Sequence, residues 1–304
     1  MSQDPILRVD SHIETQPSIT ARKSYAYRYA YARSADSRAS NETGQDYLAF
    51  HPSETDFTFV LCDGVSQSFF GDLAAKLLGD ALLEWLEKLP AGMEFASVQE
   101  SLSALLSDLT QSATEWVQNQ PLPPDISTML KGVLEQKRAH GSETTFACGR
   151  IDLPNTLATD GRLLLTWMGD SRLRFWGQQG ERSAELGDSF HTAERWSTRR
   201  GPVNGEAHIA ILPLVDKSGH QVVRRLITYS DGLASLDAWD NPPSNAALEN
   251  LIEQAQLSAT SDDISLIEIW LGHVPEVFSD QPDKRFETKA IPKVEKEKRS
   301  FFGW

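Results

Sequence analysis

The feature that most constrains the fold is a set of short acidic motifs, each placed where an apolar, strand-like run begins or ends. The motifs are Gln45-Asp46-Tyr47, Cys62-Asp63-Gly64-Val65, Ser230-Asp231-Gly232-Leu233 and Ser261-Asp262-Asp263-Ile264. If these runs are strands, their ends bring the carboxylates together at one end of a sheet system. Carboxylates a few ångströms apart raise one another's pKa, so they remain ionised together only when cations lie between them. The arrangement therefore predicts bound metal.

One such motif alone is weak evidence, because Asp-Gly after a strand is also a leading turn signal. The repetition is what favours a site. A further apolar run, residues 163–168, leads directly into Gly169-Asp170-Ser171 and adds another carboxylate at a strand end.

The periodicity of the chain predicts an α+β fold. Residues 24–33 alternate strictly, with four tyrosines on one face and small residues or Arg28 on the other, which is typical of a strand. Further strands are predicted at 48–50, 57–62, 144–151, 162–168, 173–176, 208–214, 222–229 and 264–271. Helices are predicted at 72–89, with Asp72 as N-cap, and at 97–116, 127–138 and 245–256. Hairpins with helices grouped between them, including an expected hairpin of 162–168 with 173–176, indicate antiparallel layers rather than alternating βαβ units.

We expect three segments: an N-terminal segment (1–23), one large folded domain (24–275) and a charged tail (276–304). The tail is poor in core-forming residues, so we expect it to be disordered. It contains Phe301-Phe302-Gly303-Trp304, a large apolar group for an exposed segment. A solvated tail is the simpler interpretation, and docking of these aromatics to a partner is the alternative.

Charge and hydropathy exclude several classes of protein. Lys and Arg number 29 against 43 Asp and Glu, which gives a net charge of −14. This disfavours nucleic acid and anionic membranes as main partners. The chain lacks a run of about 20 apolar residues and a secretory leader pattern at its start, so we expect a cytoplasmic protein. Cys62 and Cys148 lie inside apolar runs and are interpreted as buried free thiols.

Taken in order, the motifs resemble those of the PPM family, the type 2C metal-dependent serine/threonine protein phosphatases, in their bacterial-like form. The resemblance spans Tyr25 to Leu271. It rests on six pieces in sequence: Gln45-Asp46, Asp63-Gly64-Val65, Gly141-Ser142-Glu143-Thr144-Thr145, Gly169-Asp170-Ser171-Arg172, Ser230-Asp231-Gly232 and Asp262-Asp263-Ile264-Ser265.

The resemblance implies a four-layer α-β-β-α sandwich of two antiparallel sheets flanked by helices, with two Mn²⁺ or Mg²⁺ ions at one end. Asp63 would bridge both ions, and the Gly64 carbonyl would bind one of them. Asp231 and Asp262 would bind the other. Hard divalent cations prefer oxygen ligands of this kind.

By the same resemblance, Asp46 would hold a metal-bound water and Asp170 would help to bind a third ion. The catalytic set would be Asp46, Asp63, Asp231 and Asp262. A water acidified by the ions would attack phosphorus directly, so the reaction needs no protein nucleophile. The implied function is hydrolysis of phosphoserine and phosphothreonine in proteins, in a signalling circuit with a cognate serine/threonine kinase.

The chain departs from the family pattern in several places. Val65 stands where many eukaryotic members have a histidine proposed as general acid, Ser66-Gln67-Ser68 replaces the usual glycines, and Gly44 replaces an asparagine. Arg38 is our candidate for the phosphate-binding arginine, with Arg33 as the alternative. Two other functions stay open: a pseudophosphatase that serves as a binding or regulatory module, and a hydrolase of small phosphate esters.

Arginines are concentrated in the segment between Asp170 and Asp231. Arg195, Arg199 and Arg200 surround Trp196 in a turn-rich stretch, 177–205. This stretch could be a substrate-facing flap, but a solvated loop is the simpler interpretation.

Overall fold

The computed structural model describes residues 5–156, 158–258 and 261–272, and within these ranges the chain forms two antiparallel sheets. The strands of the first sheet are β1 (Leu7–Arg8), β4 (Tyr47–Pro52), β5 (Asp56–Gly64), β6 (Glu143–Asp152), β7 (Arg162–Met168), β10 (Arg195–Ser197), β11 (Gly201–Val203) and β12 (His208–Leu212). Those of the second are β2 (Thr20–Ala21), β3 (Tyr25–Ala32), β8 (Arg172–Gly177), β9 (Gly180–Glu181), β13 (Arg225–Tyr229) and β14 (Ile264–Leu271).

Both sheets are ordered so that strands distant in the chain become neighbours. The first runs β1-β4-β5-β6-β10-β11, with β7 pairing to β6 and β12 to β7. The second runs β2-β3-β14-β13-β8-β9. The α-helices are α1 (Ala35–Ser40), α2 (Gly71–Lys88), α3 (Phe95–Gln118), α4 (Thr128–His140) and α5 (Asn245–Gln256).

Three hydrophobic cores separate four layers. The first fills the space between the sheets, the second lies between the first sheet and helices α2 and α3, and the third lies between the second sheet and α5. Phe50 and Phe57 stack in the first core with ring centroids 5.8 Å apart. Each large apolar side chain buried this way contributes roughly 1.5–3 kcal/mol. The predicted α-β-β-α sandwich is therefore confirmed.

Strand β3 shows how the alternating sequence builds two of these cores. Tyr25 and Tyr27 point into the core between the sheets, whereas Ala30 and Ala32 belong to the core under α5. The small alanines leave room for the helix to pack closely. Arg28 lies on the helix side and is 1% exposed, because its guanidinium binds Glu268 at 2.6 Å.

The predicted hairpin of residues 162–168 with 173–176 is wrong. Strand β7 pairs with β6 and β12 in the first sheet, whereas β8 pairs with β13 in the second, so the chain crosses between sheets at residues 169–171. Gly169 permits the crossing with φ of +107°, and a Cβ there would lie 2.4 Å from Thr145. The turn signal at Gly169 is visible in the sequence, but the partner of the second strand depends on contacts distant in sequence.

Two further expectations about local structure also need correction. Residues 195–203 are not a loop, because β10 and β11 form a hairpin that extends the first sheet beside β6, with Trp196 fully buried. Asp72 is not the N-cap of α2; Phe70 occupies that position with φ of +46°, and Asp72 lies in the first turn. An acidic residue there still interacts favourably with the helix dipole.

The segment before β3 contributes β1 to one sheet and β2 to the other. Cys62 and Cys148 are buried and free, as predicted. Among the described helices, none has the length and apolar character needed to cross a bilayer. The predicted tail from residue 276 onward lies outside the described residues.

Candidate active site

The first sheet brings two of the predicted carboxylates opposite each other. Asp46 immediately precedes β4, and Asp63 is the penultimate residue of β5. Tyr47 pairs with Cys62 in the antiparallel register, so the residues just beyond that pair, Asp46 and Asp63, lie at the same end of the two strands. On its other side Asp63 pairs with Thr145.

The second sheet adds its acids at the same end of the sandwich. Asp231 follows β13 at the start of a 3-10 helix that runs from Asp231 to Ala238, and Asp262 precedes β14. Asp170 lies in the crossing between β7 and β8. The structure therefore brings all the predicted acidic residues to the region where both sheets end.

Burial and neighbouring acids perturb the ionisation of Asp63. Burial raises the pKa of Asp63 well above its usual value, and the charges of Asp46, Asp231, Asp262 and Asp170 raise it further. Part of the Asp63 side chain remains accessible, yet the carboxyl lies deep among protein atoms. Its carboxyl also comes within hydrogen-bonding reach of Asp231.

Asp46 and Asp231 are perturbed in the same direction. Asp46 is 3% exposed, and burial is the main cause of its raised pKa, followed by the charge of Asp263. Burial and the charges of Asp262 and Asp170 raise the pKa of Asp231 to about 6. These raised pKa values mean that folding brings the carboxylates together without enough positive charge from the protein to neutralise them.

Arg172 is a cation that acts on Asp231 in this cluster. Its charge lowers the pKa of Asp231, partly opposing the effect of the other acids. The guanidinium donates to the Asp170 carbonyl and to Asp237 Oδ2, the latter at 3.3 Å. Arg172 belongs to the motif at Asp170, but the local sequence does not indicate its role, because its approach to Asp231 depends on the pairing of β8 with β13.

Gly64 lies where three backbone segments meet. A Cβ at this position would lie 2.6 Å from the Gly71 carbonyl carbon and 2.7 Å from the Gln45 carbonyl oxygen. Only glycine fits without displacing the backbone. The end of β5 is thereby held against both the start of α2 and the residue that precedes Asp46.

The donor set at this end of the sandwich fits a hard divalent cation. It consists of oxygen atoms, and the Gln45 Oε1 atom is buried without a hydrogen-bond partner among the described residues. As the side chains stand, no three His, Cys, Asp or Glu residues in the described ranges surround a single ion position. The case for metal therefore rests on the unneutralised carboxylates and on this unpaired oxygen, which oxygen-seeking Mg²⁺ or Mn²⁺ would satisfy.

Two serines hold the Asp46 carboxylate in place. Ser265 Oγ donates to Asp46 Oδ2 at 2.5 Å, and Ser230 also hydrogen-bonds to this carboxyl. Ser230 is fixed in turn, since its Oγ accepts the Ser265 N–H at 3.0 Å. Both serines are completely buried. The side chain of Asp46 is thus positioned before any ligand binds.

Asp263 is a structural residue whose role the local sequence does not indicate. One of its carboxylate oxygens accepts the Ser34 N–H at 2.6 Å, and the other accepts the Gln45 N–H. It thereby holds both ends of the excursion from residue 34 to residue 45 that carries α1. Gly44 and Gly232 pack directly against Asp263. A Cβ at either position would lie within 3.2 Å of an Asp263 atom, so larger residues would displace it.

Neither arginine considered for phosphate binding has a free guanidinium. Arg38 donates to the carbonyl of Gln256 at 2.8 Å, and Arg33 forms an ion pair with Glu14 at 2.7 Å. Their roles at the site stay predictions. The guanidinium shown to influence the cluster is that of Arg172.

Comparison with known proteins identifies the fold through solved structures of low sequence identity. No protein-family model matches the chain, and no curated protein does. Among solved structures, a point mutant of a bacterial serine phosphatase superposes with a TM-score of 0.54 at 15% identity, covering 81% of this chain and 97% of that one. The serine/threonine phosphatase Stp1 from Staphylococcus aureus gives a TM-score of 0.52 at 13% identity, covering 84% of this chain and 96% of that one. The chain therefore has the fold of bacterial serine/threonine phosphatases over most of its length.

Proposed function

We propose that this protein is a metal-dependent phosphatase that hydrolyses phosphoserine and phosphothreonine in proteins. The single observation that carries the proposal is the position of Asp46, Asp170, Asp231 and Asp262 around Asp63, whose pKa their charges raise, at one end of a phosphatase fold. Fold alone does not imply function, so the proposal depends on this site.

Six residues would hold the ions. They are Asp46, Asp63, Gly64 through its carbonyl, Asp170, Asp231 and Asp262. Bound Mn²⁺ or Mg²⁺ supplies positive charge to phosphoryl oxygens and lowers the pKa of water. The carboxylates contribute the fixed charge that retains such ions.

The remaining residues of the site act by position. Ser265 fixes the rotamer of Asp46 through the hydrogen bond described above, and Asp263 fixes the backbone that leads to it. Arg172 limits the charge of the cluster beside Asp231. Val65 has an apolar side chain, so it cannot transfer a proton to the leaving alcohol.

A pseudophosphatase is the alternative, and the carboxylates argue against it. A binding module gains nothing from side chains that repel each other, because each raised pKa lowers the stability of the folded state at neutral pH. We further propose that the physiological substrate is a phosphoprotein and that a serine/threonine kinase supplies it.

The proposal is tested by phosphate release from phosphoserine, phosphothreonine and phosphotyrosine peptides and from p-nitrophenyl phosphate. Each substrate is assayed with Mn²⁺, with Mg²⁺ and with chelator. We expect metal-dependent turnover of the first two peptides. Turnover of p-nitrophenyl phosphate alone would identify a hydrolase of small esters, and no turnover together with unchanged melting in Mn²⁺ would identify a pseudophosphatase.

A further inference from the structure

A cleft of about 670 Å³ lies between helix α3 and the segment 199–209, which contains β11 and the start of β12. Its size falls within the roughly 300–1,000 Å³ that is typical of ligand sites. None of the acidic residues that form the candidate active site lines it. It is therefore a separate feature of the molecule.

The α3 wall of the cleft is uncharged and mostly polar, and it includes the buried Leu102 and Leu106. Gln99, Ser103, Ser107 and Gln111 line it, and their four-residue spacing places them on one face of the helix. Helix α3 also carries Glu100, Asp108 and Glu115, but none of these lines the cleft. The helix thus presents hydrogen-bonding groups to the cleft without repelling an anion.

The opposite wall is basic. Arg199 and Arg200 line it, against one carboxylate, Glu206. Arg200 forms an ion pair with Glu143 at 2.6 Å. The exposed guanidinium of Arg199 has no hydrogen bond or ion pair with any part of the chain that the structure describes. On a protein of net charge −14, an arginine left open in this way gives an acidic ligand a specific place to bind.

The basic wall is connected to the candidate active site through β6. Glu143, which binds Arg200, accepts the Val65 N–H through its carbonyl at 2.9 Å. The next two residues of β6 pair with Gly64 and Asp63. Glu143 thus links Arg200 to the strand end that carries Asp63.

The edge of the sheet beside the cleft is closed to an added strand. Strand β11 is an edge strand, and its middle residue, Pro202, has no N–H. Pro202 pairs with Trp196, so its nitrogen stands where an incoming strand would need a donor. A bound chain must therefore be held by side chains, and among these the guanidinium of Arg199, which is unpaired within the described residues, favours negative charge.

We propose that this cleft binds acidic residues flanking the phosphorylated residue of a protein substrate, with Arg199 as a specificity-determining residue. The inference rests on the proposed phosphatase function. It adds a substrate class, namely phosphoproteins with Asp or Glu near the phosphorylated serine or threonine.

The test uses two phosphothreonine peptides that differ only in carrying glutamates or glutamines beside the phosphorylated residue. The variants are Arg199→Glu, Arg199→Lys, and Arg224→Glu as the matched control. Arg224 is also exposed, and its reversal changes the net charge equally at a site away from the cleft. Kinetics with p-nitrophenyl phosphate report the chemistry without the cleft.

We expect the wild type to have the lower KM for the acidic peptide, and Arg199→Glu to raise that KM about five- to tenfold, as reversal of a charge at an interface does. Arg199→Lys should preserve it, and turnover of p-nitrophenyl phosphate should be unchanged in all variants. Equal KM values for the two peptides, or equal effects of Arg199→Glu and Arg224→Glu, would overturn the inference.

A binding measurement separates this inference from the proposed function. Fluorescence anisotropy with the unphosphorylated acidic peptide needs no turnover and should show weaker binding to Arg199→Glu than to Arg224→Glu. If no phosphate ester is hydrolysed, the phosphatase function fails while the cleft is still judged by this titration. Identical binding to both variants would remove the cleft as an acidic-peptide site.

Discussion

Replacing Asp231 by asparagine should make the protein more stable than wild type when metal is absent and less stable than wild type when metal is bound. Without metal, Asp231 is one of the carboxylates that burial and neighbouring acids destabilise. Asn has nearly the same shape and no charge, so the variant removes repulsion from Asp63 without creating a cavity. With metal, the same change removes a proposed ligand.

The magnitude follows from the pKa of Asp231, which rises from 3.8 to about 6 on folding. A group whose pKa is raised in the folded state costs stability above that pKa, and the cost disappears as pH falls below the unfolded value. About two pKa units correspond to at most roughly 3 kcal/mol. Protein atoms surround much of the Asp231 carboxyl, yet its side chain keeps enough solvent-accessible surface that screening reduces this to about 1 kcal/mol.

The assay is urea denaturation of wild type and Asp231→Asn in chelator and in saturating Mn²⁺. In chelator above pH 6 the variant should be more stable by about 1 kcal/mol, and this gain should fade as the pH is lowered toward 4. In Mn²⁺ the wild type should gain about 2.7 kcal/mol at a metal concentration 100-fold above Kd, and the variant much less.

The control is Asp108→Asn, which removes an exposed carboxylate from α3 away from the cluster. It should leave the free energy of unfolding unchanged both in chelator and in Mn²⁺. Phosphopeptide turnover should fall by at least 100-fold in Asp231→Asn with Mn²⁺ present, because loss of a ligand charge weakens metal binding. Equal stabilisation of both proteins by Mn²⁺, or wild-type turnover by the variant, would refute the assignment of Asp231 as a ligand.

Three further changes test the positioning role of Ser265, the close packing at Gly232 and the role of residues 282–304. Ser265→Ala removes a hydrogen bond to a buried carboxylate and should weaken Mn²⁺ binding about 10- to 100-fold in calorimetric titration; unchanged affinity would contradict the positioning role. Gly232→Ala places a Cβ 2.1 Å from the Asp263 carbonyl oxygen and should cost about 1–3 kcal/mol. Gly132→Ala, in open space on α4, is its matched control and should stabilise slightly; similar melting of the two variants would refute the clash. Deletion of residues 282–304 should leave hydrolysis of short peptides unchanged and weaken binding of a partner protein, because that segment combines polar sequence with Phe301, Phe302 and Trp304; lost peptide turnover would remove the docking idea.

Local patterns predicted those elements whose side chains divide between two environments. The alternation of β3 and the helical spacing of leucines in α2 identify both elements, because each buries one set of residues at a fixed period. The acidic site was predictable for a related reason. Each of its carboxylates lies where such a pattern stops.

Features that depend on distant contacts could not be predicted in this way. The acceptor role of Asp263 joins it to Ser34, which lies 229 residues away. Hairpin β10–β11 has only three residues in each strand, too few to show a period, and its position is fixed by pairing with β6. The crossing at Gly169 likewise depends on which sheet accepts β8.

A buried carboxylate outside the proposed metal site is neutralised differently in this chain. Glu268 is fully buried in the second sheet, and it forms ion pairs with Arg28 and Arg225, so its charge is matched by side chains of neighbouring strands. An uncompensated buried charge is costly, and such pairing is the usual remedy. The leading influences on Asp46 and Asp63 are instead burial, further acids and, for Asp46, two serine hydroxyls, with no cationic side chain among them. Since the sheets can supply arginine to a buried acid, its absence from these two carboxylates in the described structure is consistent with a cluster that is neutralised by bound ions.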